Sequence, residues 1–80
     1  MKVKTSELTG VTEAMRKAGS DIACLLMDAS IAKCMNGLGG GKSWDEWCAE
    51  TVSNRDLCVA YLNEEIDSVT AIYLAMERAK

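Results

Sequence analysis

Ile22-Ala23-Cys24-Leu25-Leu26-Met27-Asp28-Ala29-Ser30-Ile31-Ala32-Lys33-Cys34-Met35 is the longest apolar stretch of this 80-residue chain, interrupted by the charges of Asp28 and Lys33. It falls short of the ~18 uninterrupted apolar residues that a membrane span needs. Wound as a helix, it carries two apolar stripes. One is Ile22, Leu25, Leu26, Ala29 and Ala32; the other is Cys24, Met27, Ile31, Cys34 and Met35. Polar residues keep only a narrow ridge around Asp21 and Asp28, with Ser30 and Lys33. A helix apolar on nearly all sides is expected to be buried on nearly all sides. One partner helix and a short third cover only part of that surface, and the rest would be a large exposed patch, unusual on a soluble monomer. The expectation is therefore a homo-oligomer, most simply a two-fold dimer completing a four-helix bundle. Its interface would hold Cys24, Met27, Ile31, Cys34 and Met35. The other reading is a monomer whose first helix folds back over the second stripe.

Upstream, the same three-and-four spacing runs through Leu8, Val11, Met15, Ala18, Ile22, Leu25, Ala29 and Ala32. Gly19-Ser20-Asp21 interrupts the composition but not the phase, which suggests a kink rather than a corner. The expectation is a first helix over about 6–18 and a second over about 20–36. Downstream, residues 37–42 form a glycine-rich connector after a stop at Asn36 or Gly37. Ser43 and Glu46 then have capping-box spacing, with Asp45 and Glu46 in the first turn of a short helix over about 44–51. Ser53-Asn54 offers a further cap, and a final helix is expected over about 55–79. In it, Val59, Leu62, Ile66, Val69, Tyr73 and Met76 are spaced as a heptad seam. A weaker stripe runs through Leu57, Cys58, Tyr61 and Ile72. The whole reads as one all-α domain over 1–80, a helical hairpin or bundle of three to four helices completed by self-association.

Composition supports this class. The chain has no proline, no phenylalanine and 49% apolar residues, which favours helices over short strands and argues against disorder. A net charge of −3 makes a nucleic-acid backbone an unsuitable partner. No apolar run follows the first residues, so no signal peptide and a reducing cytoplasm are expected. That compartment decides how the cysteines read. Cys24, Cys34, Cys48 and Cys58 lie ten, fourteen and ten residues apart, symmetric about Gly41. The symmetry allows two staples, Cys34–Cys48 and Cys24–Cys58, while the compartment favours free, buried thiols. Zinc is not expected, because no two cysteines have ligand spacing and histidine is absent.

Chemistry has few candidates. Gly39-Gly40-Gly41-Lys42-Ser43 looks like part of a phosphate loop, but the full pattern wants glycine where Asn36 stands, and a preceding strand. These five residues remain an anion-binding candidate beside a helix N-terminus, or else a connector with a capped exit. Without histidine the usual base near neutral pH is missing, so no enzyme and no cofactor are expected. Glu64, Glu65 and Asp67 read as a solvent-facing acidic run. Trp44 and Trp47, one helical turn apart, either pin the short helix to the bundle or form a partner-binding hot spot rimmed by Asp45, Glu46 and Glu50.

Met1-Lys2-Val3-Lys4-Thr5-Ser6-Glu7-Leu8-Thr9-Gly10 resembles the opening of NinX-like small proteins of phages and prophages. The continuation Val11-Thr12-Glu13-Ala14-Met15-Arg16 departs from their pattern. The resemblance implies a phage accessory gene and says nothing of fold or site. The order of short helix, Lys17-x-Gly19, apolar helix, loop, Trp-led turn and long final helix is similar to phage cyclic-nucleotide sponges of the anti-CBASS type. That likeness implies a helical oligomer that sequesters a small nucleotide, and it carries over no ligand residues. The functional expectation is a non-enzymatic phage-type accessory protein that binds a host protein, with anti-defence action as one form of that role. A cyclic-nucleotide-binding oligomer and a structural assembly subunit are the alternatives.

Overall fold

The computed structural model describes residues 11–80, all of whose regular elements are helical. The first, α1 (Glu13–Met35), is one unbroken helix. Thr12 caps it, its side chain accepting from the Met15 amide at 3.0 Å, with Glu13 in the first turn and Lys33 in the last. Asn36 ends it in the left-handed conformation, φ 46°, and donates its amide to the Ala32 carbonyl. The expected break near Gly19 is absent. Gly19 serves close packing instead: a Cβ there would lie 3.1 Å from Met76 Cγ and Sδ and 3.5 Å from Ile72 Cγ2. The expected start of a first helix at residue 6, and the resemblance at 1–10, lie outside the described residues.

A 3-10 turn (Leu38–Gly40) leads to α2 (Trp44–Glu50), and then come α3 (Arg55–Leu62) and α4 (Ser68–Arg78). The single final helix expected over 55–79 is therefore two helices. Its break is a helix stop written without glycine. The Glu65 amide donates to Ala60 O at 2.9 Å and the Glu64 amide to Tyr61 O at 3.1 Å, with Glu64 left-handed at φ 60°. These are the paired bonds of a Schellman stop. Asp67 then starts α4, its carboxylate accepting from the Thr70 amide at 2.7 Å.

α4 packs along α1 in the opposite direction, since Met76 near its end meets Gly19 near the start of α1. Arg78 donates to both carboxylate oxygens of Asp56, at 2.9 and 2.7 Å, and so ties the end of α4 to the start of α3. α2 covers the C-terminal part of α1. The core between them holds Ile22, Leu26, Ala29, Ala32, Trp47, Leu57, Cys58, Ala71 and Ala75. The heptad seam expected on the final helix is thus corrected: Val69 and Tyr73 are 73% and 58% exposed. Leu62 and Ile66 of that seam do pack against the core, together with the weaker stripe, in which Leu57 and Cys58 are buried and Tyr61 and Ile72 lie against the core. The turn at 63–67 resets the helical phase, so α3 and α4 present faces that an uninterrupted helix would not.

Candidate functional site

The inward stripe of α1 goes into the core, as its pattern requires, and the second stripe stays in solvent. Met27 is 67% exposed, Ile31 54% and Met35 44%, and Cys24 and Cys34 are also exposed. Because α3 and α4 both lie on the opposite side of α1, nothing among the described residues covers this face. It runs from Ser20 to Met35, and Asp21, Asp28 and Lys33 are the only charges in that span, all outside the stripe itself. Two grooves flank it. One, of about 340 Å³, lies between Ala23, Met27 and Ser30 of α1, Tyr61 of α3, and Ser68 and Ile72 of α4. The other, of about 220 Å³, lies between Asp28, Ile31 and Ala32 of α1 and Lys42 and Trp47 beyond the loop. An apolar ridge between two grooves suits packing against another helix, and nothing in it suits covalent chemistry.

The tryptophans divide. Trp47 is 3% exposed and belongs to the core, so it supports a surface rather than forming one. Trp44 is half-buried and stacks on it, ring centroids 5.2 Å apart and planes 6° from parallel. Lys33 Nζ sits 4.9 Å from the Trp44 ring centroid, a cation–π contact that ties α2 to the end of α1. The Trp44 amide donates to Asn36 Oδ1 at 3.0 Å. Of the proposed acidic rim, Asp45 and Glu46 are exposed, and Glu50 is held by Lys42 at 2.5 Å.

The glycine loop is similarly occupied with itself. Gly39 and Gly40 take φ 72° and 84°, which supplies the reversal into α2. Lys42, the one cation of the anion candidate, is engaged by Glu50. The hydrogen bond to that carboxylate, and then its charge, raise the Lys42 pKa above the ordinary value. Ser43 Oγ accepts from the Glu46 amide at 3.2 Å and donates to the Glu46 carboxylate at the same distance. The amides that an anion would use are thus partly spent on the helix cap.

All four cysteines are free thiols, and neither staple that their symmetry allows is present. Only Cys58 is buried, so the expectation of four buried thiols is corrected: Cys48 is half-buried, and Cys24 and Cys34 lie on the outward face of α1. Burial, followed by the charge of Asp56, pushes the Cys58 thiol up to about 11, which leaves it protonated and unreactive at neutral pH. Among the described residues no cluster of three or more His, Cys, Asp or Glu is placed to hold a metal, and no helix is long and apolar enough to cross a membrane.

Comparison with known proteins finds no match: no family model, no curated protein and no solved structure is similar to this chain. The exposed Val69, Tyr73 and Leu74 of α4 were missed in the sequence. The signal in the sequence was Asp67, a helix-capping aspartate after the polar Asn63, Glu64 and Glu65, with no glycine to mark the stop.

Proposed function

We propose that this chain is a small non-enzymatic accessory protein that acts by binding another protein through the outward face of α1. The observation that carries this reading is the stripe of Cys24, Met27, Ile31, Cys34 and Met35, left uncovered by the described residues on an otherwise well-packed helix. A free-standing domain gains nothing from three large apolar side chains in water, whereas an interface gains about 25 cal/mol per Å² of apolar area it buries. The phage-type setting enters through the resemblance of the first ten residues alone. The self-association expected from the sequence uses the same stripe, and the half-buried Trp44 with Asp45 and Glu46 offers a second contact at its C-terminal end.

The test compares the chain with two variants, Ile31→Glu on the stripe and Val69→Glu on the far side. The reading expects Ile31→Glu to lose a stoichiometric protein partner or self-association, with its helical circular dichroism intact. Val69→Glu should keep both. Equal binding by all three would overturn it. For the small-nucleotide alternative, a ligand at a hundredfold its dissociation constant adds about 2.7 kcal/mol of stability. A panel of cyclic nucleotides therefore decides it by thermal shift. The engagement of Lys42 by Glu50 argues for no shift.

A further inference from the structure

The outward face of α1 has an order that reads alike from both ends. Its exposed positions Cys24, Met27, Ile31 and Cys34 are spaced three, four and three. This is the spacing of a seam that one helix presents to another. With two helices antiparallel and the two-fold axis level with Ala29, Cys24 of one copy falls opposite Cys34 of the second. Met27 then falls opposite Ile31.

We propose that two copies of this chain pair antiparallel along the outward faces of α1, and that two reciprocal Cys24–Cys34 disulfides between the copies lock the pair under oxidising conditions. This rests on the reading of that face as a binding surface and adds its occupant, its direction and its register.

Charge sets the direction. Continued toward the N-terminus by steps of three and four, the seam meets Lys17 and Glu13, both exposed. Lys17 is paired with Asp21 at 2.9 Å, and Glu13 with Arg16 at 2.6 Å. A parallel pair would set Lys17 against Lys17 and Glu13 against Glu13. The antiparallel pair carries these turns past the end of the partner's α1 and leaves them in water. Along one flank Ala23 and Ser30 are small and uncharged, which lets the backbones approach. On the other flank the two Asp28 side chains come near the axis, each with the Lys42 of its own chain in the same groove.

Area explains why thiols matter. Met27 and Ile31 on this line, with Met35 beside it and Leu38 beyond the helix end, are the large apolar side chains of this face, and none is wholly exposed. A fully buried side chain of this size contributes on the order of 100 Å². Four of them fall well short of the about 800 Å² per partner that a stable interface uses. The reduced pair is accordingly weak, and the covalent links decide its lifetime. Cys24 and Cys34 cannot join within one chain, because ten residues of helix separate them by about 15 Å. A disulfide spans at most about 7 Å between Cα atoms. Each bridge forms by exchange with a small disulfide oxidant. One thiolate displaces half of the oxidant as a thiol, and the facing thiolate of the second copy displaces the other half. Two protons and two electrons pass from two protein thiols to the two released thiols, once per bridge.

The experiment oxidises the folded full-length chain with oxidised glutathione, in a Cys48→Ser background, and maps the bridges by peptide mass. The expected product is a dimer with Cys24–Cys34 bridges between chains. Cys24→Ser and Cys34→Ser should each stay unbridged alone, and their mixture should give a singly bridged heterodimer. Bridges of Cys24 to Cys24 and Cys34 to Cys34, bridging by either single variant alone, or glutathione adducts without dimer would overturn the proposal. A parallel measurement of reduced mass separates the two readings. If Ile31→Glu abolishes reduced self-association while the bridges prove wrong, the register fails and the binding surface stands.

Discussion

The two sides of α1 are built from nearly the same kinds of residue and meet opposite surroundings. Inward, Ile22, Leu26, Ala29 and Ala32 are buried against α2, α3 and α4. Outward, Cys24, Met27, Ile31 and Met35 stand in solvent. The inner stripe uses small residues at two of its four positions, and Gly19 lets α4 lie close further along. The outer stripe is bulky and sulfur-rich, and it has the adaptable side chains that suit an interface. The difference teaches that apolar character marks what a helix can bury, and that the size pattern tells which side its own chain buries.

Substitutions can break this contrast. Ile22→Ala, at a fully buried position, should lose about 2–5 kcal/mol and bring a domain this small close to unfolding. Ile31→Ala in the dilute reduced chain should change stability by less than about 0.5 kcal/mol. Urea titration of both checks the pair, and equal losses would erase the distinction between the sides. At the close approach, Gly19→Val must push Met76 aside and should cost about 1–3 kcal/mol. Gly19→Ala should be near neutral, because better helix propensity offsets the displacement of a flexible methionine.

Smaller effects sharpen the account of what holds α3 and α4 in place. The Arg78 guanidinium, bonded to Asp56, holds that carboxyl below the usual range. A lowered folded pKa stabilises above the unfolded value of about 3.9, and the benefit is lost as pH falls through the folded pKa. Arg78→Ala should therefore cost at most about 1 kcal/mol near neutral pH, less in high salt, and nothing in strong acid. Thermal unfolding followed from neutral pH to strong acid measures it. Glu64→Gly should gain about 0.5 kcal/mol by relieving a left-handed backbone at φ 60°, seen as a small rise in Tm.

Much of the architecture was legible. The core stripe of α1, the cap at Ser43 and the stop at Asn36 are all local signals, and each does in the fold what its residues favour. The break at 63–67 was hidden because glutamate takes the place where glycine ordinarily marks a stop. The continuity through Gly19 was partly legible, since the unbroken phase spoke against a corner, but the reason for a glycine there lies in the close approach of Met76 from α4. The exposed stripe was named from its residues, but its being uncovered depends on α3 and α4 sharing one side of α1. The buried place of Trp47 likewise depends on the loop that folds α2 back onto α1.

The most direct test of the outward face is molar mass against concentration by light scattering, under reducing conditions, for the chain and for Ile31→Glu. The account predicts that the mass of the unaltered chain climbs toward twice the monomer as concentration rises, while Ile31→Glu stays monomeric and equally helical. A chain that stays monomeric throughout, or a variant that associates as well as the parent, would contradict it.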